Sequence, residues 1–128
     1  MIGYITLGAD DIEATGAFYD TLFEKLPVFR VYEYEKFIAW GTSKSDVLFG
    51  ITKPFNEENA TSGNGIMIGL KATSTQQVDE LYRIALSLGA QDEGAPGYRA
   101  SGYYCAYFRD LSGNKINFHY SDHYGDSQ

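Results

Sequence analysis

Cysteine occurs once in this chain of 128 residues, at Cys105, which excludes an intramolecular disulfide and any thiolate-rich zinc or iron–sulfur cage. Basic residues are in the minority: 10 Lys+Arg against 17 Asp+Glu leave a net charge of −7 and a pI of about 4.6. Phosphate-backbone binding needs a basic stripe, so a nucleic-acid partner is not expected. No apolar run approaches the ~20 residues of a membrane span, and none is expected. The opening Met1-Ile2-Gly3-Tyr4 has no basic stretch followed by an apolar one, so no signal peptide is expected and the cytoplasm is the expected location. What the chain has in quantity is apolar and aromatic surface, 44% hydrophobic and 16% aromatic. At this length, area scaling buries about two-thirds of the unfolded surface, enough for one domain over 1–128 without staples.

Two segments carry helical periodicity. Ile12, Phe18, Tyr19, Leu22, Phe23 and Leu26 recur at helical spacing. Asp10 and Glu13 offer a capping-box start, and Pro27 is the expected stop, because the residue before a proline is pushed out of helical geometry. These features predict a helix over about 11–26. Val78, Leu81, Tyr82, Ala85 and Leu88 form a second stripe. Ser74 with Gln77 makes a capping box, and Gly89 stands where a left-handed terminator is wanted, predicting a helix over 74–88.

Strand-like runs surround them, at 2–8, 28–34, 36–41 and 46–52 and again at 66–72, 90–95, 102–109 and 114–120. The run near 90–95 carries the weakest strand pattern. The stretch 53–65 is polar and turn-rich and reads as a linker. Slid on itself by about 63 positions, the chain places Ile5 on Ile68, Leu7 on Leu70, Ala9 on Ala72 and Tyr19 on Tyr82. The expected architecture is α+β: two βαβββ modules, about 1–53 and 65–121 with a linker at 54–64, forming a curved mixed sheet around a cavity.

Three stretches carry a family resemblance. They are Tyr4-Ile-Thr-Leu-Gly-Ala-Asp-Asp-Ile-Glu with Phe18-Tyr19, then Gly65-Ile-Met-Ile-Gly-Leu, then Pro96-Gly-Tyr-Arg99 with Tyr103-Tyr104 and Phe108 to Asn117. Together they resemble the vicinal oxygen chelate superfamily of glyoxalases, bleomycin-resistance proteins and extradiol dioxygenases. The resemblance implies metal ligands (His, Glu or Gln) on the first and last strands of each module. Carried onto this chain, those positions hold Tyr4, Gly50, Met67 and Asn117. Gly supplies no ligand atom, and a thioether is too soft for the metals such enzymes use. The expectation is therefore no metal and no cofactor.

Period-two alternation from these positions puts Tyr4 and Thr6, Gly50 and Thr52, Met67 and Gly69, and Asn117 and His119 on the cavity side. Arg99, after Pro-Gly, is the one cation among the candidates and suits an anionic ligand, or else satisfies surface carboxylates. Tyr98, Tyr103, Tyr104 and Tyr107 suit stacking on a ligand, or half-buried sheet positions. Trp40 beside Phe37 reads as cavity wall or dimer contact. Cys105 and His119 suggest a nucleophile and base, but the sequence names no group to orient them. The expected binding set is Tyr4, Trp40, Met67, Arg99, Tyr104, Asn117 and His119. The expected function is metal-independent binding of a small organic molecule by a homodimer. The alternative is a metal-dependent lyase or dioxygenase with an atypical metal site.

Overall fold

The computed structural model describes residues 1–99 and 102–125, and the chain divides into two compact units, Met1–Ser62 and Gly63–Gln128. The first unit runs β1 (Tyr4–Gly8), α1 (Ile12–Leu22), β2 (Phe29–Tyr34), β3 (Phe37–Gly41) and β4 (Leu48–Thr52). The second runs β5 (Ile68–Lys71), α2 (Thr75–Ser87), β6 (Gln91–Tyr98), β7 (Tyr104–Arg109) and β8 (Lys115–Tyr120), then a 3₁₀ turn over Asp122–Gly125. Each unit is thus βαβββ, and the strands lie in two four-stranded mixed sheets, ordered β1-β4-β3-β2 and β5-β8-β7-β6.

The two sheets share one register. The parallel pair of the first unit sets Leu7 against Ile51, and that of the second sets Leu70 against Phe118. One residue earlier on each strand, Thr6 faces Gly50 and Gly69 faces Asn117. Gly50 and Asn117 therefore hold equivalent places, as do Thr6 and Gly69.

Each sheet is covered by its own helix. In the first unit, α1 lays Phe18, Tyr19 and Leu22 against Ile38, Trp40, Phe49 and Ile51, all buried. The Tyr19 and Phe49 rings sit 4.9 Å apart and those of Phe23 and Trp40 5.9 Å apart, within the range of favourable aromatic pairs. In the second, Val78, Leu81 and Ala85 of α2 cover Ala106, Phe108, Ile116 and Phe118.

The helix ends follow local chemistry. Asp11, not Asp10, caps α1 by accepting from the Ala14 N–H at 2.9 Å, and Asp10 accepts from the Ala60 N–H at 2.6 Å instead. The expected run to Pro27 is corrected: α1 ends at Leu22, and Leu26 N–H bonds Phe23 carbonyl at 2.9 Å in a following turn. Glu24 and Lys25 are exposed there and Leu26 is only half-buried, so little apolar contact beyond Phe23 holds a further helical turn on the sheet. α2 starts as expected, with Ser74 Oγ accepting from Gln77 N–H at 3.1 Å. It closes with Gly89 at φ +103°. Ser74→Ala is expected to lower the unfolding free energy by about 1 kcal/mol, measured by urea denaturation; an unchanged midpoint would show that the cap is dispensable.

Candidate functional site

Alternation divides each sheet into a helix-covered face and an opposite one. On the first sheet the opposite face carries Tyr4 and Thr6 of β1, Gly50 and Thr52 of β4, Phe37 and Ala39 of β3, and Tyr32 and Tyr34 of β2. Tyr4 is 66% and Tyr34 62% exposed, so this face is largely aromatic. Trp40 does not belong to it. It pairs with Phe49 on the helix side, is 2% exposed, and donates its indole N–H to Asp20 of α1 at 3.0 Å. The reason is parity: Trp40 stands three residues from Phe37, and on a strand an odd step reverses the face.

The opposite face of the second sheet differs in chemistry. Cross-strand pairing sets Cys105 against His119, Tyr107 against Asn117, and Arg109 against Lys115. Tyr104 falls on the other side, paired with Tyr120 and donating its hydroxyl to Asp79 of α2 at 2.6 Å. The parity correction made for Trp40 applies to it too. Asn117, 6% exposed, and His119 are joined by a 2.9 Å bond between Oδ1 and Nδ1. With Nδ1–H donating, Nε2 is the basic nitrogen. The Tyr103 ring meets the imidazole edge-on at 5.9 Å. Burial, and then the Lys71 charge, push the imidazole below its ordinary value near 6.5.

Arg99 reaches the same face by folding back over its own strand. Its guanidinium donates to the Ala95 carbonyl at 3.0 Å and stands 5.3 Å from the centre of the Tyr107 ring. The Lys115 ammonium stands 5.6 Å from that centre. Burial raises the Tyr107 hydroxyl above its ordinary value near 10, as does a hydrogen bond with Cys105. Of the seven candidates, the structure thus gathers Arg99, Asn117 and His119 on one sheet. Met67 lies just before β5 and is 42% exposed, and Tyr4 lies on the other unit. The reading from sequence missed Lys115. Its signal was a place two residues before Asn117 on the same strand.

Among solved structures, a glyoxalase/bleomycin resistance protein from Albidiferax ferrireducens T118 is 33% identical with a TM-score of 0.84, over 94% of this chain and 98% of that one. This chain belongs to the glyoxalase/bleomycin resistance protein family. A glyoxalase/bleomycin resistance protein/dioxygenase family enzyme from Burkholderia phytofirmans PsJN is 20% identical, with a TM-score of 0.75 over 92% of this chain and 96% of that one. A lactoylglutathione lyase from Agrobacterium tumefaciens is 21% identical, with a TM-score of 0.68 over 94% and 92%. At those identities the likeness shows the shared glyoxalase fold. A scan against protein-family models and a search of curated proteins return no match.

The glyoxalase superfamily implies a metal ion, and the residues at its ligand positions do not fit one. Gly50 has no donor, and a Cβ built there would lie 2.9 Å from the Phe37 ring. The Asn117 oxygen is engaged with His119, and Met67 offers a thioether. Among the described residues, no group of three His, Cys, Asp or Glu side chains is placed to hold a metal ion. Also among these residues, no helix is long and apolar enough to cross a membrane.

Proposed function

We propose that this member of the glyoxalase family binds a small organic ligand without a metal ion. The observation that carries the reading is the set Tyr4, Gly50, Met67 and Asn117. The shared register of the two sheets supports the equivalence of Gly50 and Asn117 that the alignment requires. Met67, Arg99, Asn117 and His119 are the proposed contacts on the second unit, and Tyr4 is the one proposed on the first. A stacking surface with a few fixed hydrogen-bonding groups suits a small organic molecule.

The test is elemental analysis after dialysis against Mn²⁺, Ni²⁺, Fe²⁺ and Zn²⁺ in turn. The expected result is well under one equivalent of any metal. One equivalent, lost on mutation of Tyr4 and Asn117, would overturn the reading in favour of a metal-dependent lyase or dioxygenase. The proposed assembly is a homodimer, in which the edge strands of the sheets find partners. Light scattering that gives a mass near 14.3 kDa at high concentration would count against it. The proposed location is the cytoplasm, in keeping with a single buried thiol.

A further inference from the structure

Two cations of the second unit are placed unlike the other paired arginines. Arg30 is held by Asp20 at 2.7 Å and Glu33 at 2.6 Å, and Arg109 by Glu93 at 3.3 Å. Arg99 and Lys115 instead each stand over the Tyr107 ring, at 5.3 and 5.6 Å from its centre.

The strand beneath Arg99 is shaped to hold it. A Cβ built at Gly97 would lie 2.9 Å from Arg99 Nη1, and one at Gly94 3.0 Å from the Tyr107 ring and 3.5 Å from Arg99 Nη2. Two glycines on the bulged strand β6 thus leave a trough, and the guanidinium lies in it, fixed by the Ala95 carbonyl. A guanidinium fixed before binding loses less freedom when it takes a ligand. Across the strands from Tyr107, Asn117 Oδ1 accepts a hydrogen bond from His119 Nδ1–H, and its amide N–H groups remain as donors.

We propose that Arg99, Lys115 and Asn117 form an anion-binding site on the face of the second sheet opposite α2, for the carboxylate or phosphate group of a small organic molecule. The proposal rests on the metal-independent reading above and names the ligand's chemical class. Two cations and an amide donor supply the recognition. Both cations stand over the Tyr107 ring, which pairs across the strands with Asn117.

The test is a titration of the full chain in EDTA with phenyl phosphate, benzoate and the uncharged benzamide, followed by amide NMR. Both anions are expected to move the Tyr107 and Asn117 resonances, and benzamide to leave them in place. The tighter of the two anions identifies the head group. Arg99→Gln and Lys115→Gln should each weaken anion binding about tenfold or more. Gly97→Ala should weaken it too, although it removes no charge, because its Cβ displaces the guanidinium. Arg83→Gln, an equal charge change on α2, should leave binding intact. Benzamide binding as tightly as benzoate, no movement of the two resonances, or anion affinity indifferent to Arg99→Gln and Lys115→Gln would overturn the proposal. These outcomes are separate from the metal assay: anion binding lost with Arg99 in EDTA sustains this site whatever metal the protein retains elsewhere. A stoichiometric metal with intact anion binding sinks only the earlier reading.

Discussion

Trp40→Ala is expected to destabilise the protein by about 3–5 kcal/mol, the largest effect of any single truncation considered for the first unit. The indole is 2% exposed and packs with the rings of Tyr19, Phe23 and Phe49, at 5.7, 5.9 and 6.4 Å between centroids. Its removal leaves a large void that rigid aromatic neighbours fill poorly. It also takes one donor from Asp20, which still holds Arg30 at 2.7 Å. Trp40→Phe separates the two contributions, because it keeps most of the burial and drops only the indole N–H. That variant should cost about 1–2 kcal/mol, made up of a hydrogen bond and some lost volume. Urea denaturation of both variants decides the matter. A Trp40→Ala cost below about 1 kcal/mol would place the ring outside the core and return it to the ligand-binding candidates.

The second large effect lies at the β7–β8 turn. Asp110 is 5% exposed, and its carboxylate accepts from the backbone N–H groups of Ser112 and Asn114, each at 2.9 Å, and from Asn114 Nδ2 at 3.1 Å. Asp110→Ala strands three donors, two of them on Asn114, which is itself buried. With each lost partner leaving a donor to find water or strain, the expected cost is about 3 kcal/mol. Asp110→Asn keeps one acceptor oxygen and should cost about half of that. The turn also sets the register of Tyr107 against Asn117, so Asp110→Ala should weaken anion binding in proportion to the hairpin's loss of order. Hydrogen exchange at the β7–β8 amides, measured beside affinity, checks this. Unchanged protection in Asp110→Ala would show that the strand ladder alone holds the hairpin.

The fold was readable from sequence where periodicity and end signals agreed. Ser74, Gln77 and Gly89 bracketed α2 closely, because each acts on its own backbone neighbourhood. The end of α1 was not readable from Pro27 alone. Proline forbids helix at its own threshold, but Glu24 and Lys25 had already left the chain with little apolar contact. Strand β6 was recognised only in part, since Gly94, Pro96 and Gly97 lower strand propensity. Those same glycines make room for Arg99. Among candidate site residues, two-residue steps from a motif put Asn117 and His119 on one face, and the strand pairing has them together on the face opposite α2. Trp40 and Tyr104 were chosen for residue type, without counting steps, and type says nothing about face. Lys115 escaped because a lysine after a turn looks like ordinary solvated surface until its cross-strand partner is known.

The ring of Phe37 over Gly50 limits what substitution can place there. A side chain at position 50 would begin 2.9 Å from that ring and 3.2 Å from the Ile5 carbonyl oxygen, so a carboxylate cannot be grafted there by changing one residue. Shrinking Phe37 alone opens a void beside a glycine and yields no donor. Placing a donor there therefore calls for a change at Phe37 together with the one at position 50. Packing alone, with no reference to any ligand, thus weighs against a donor at position 50.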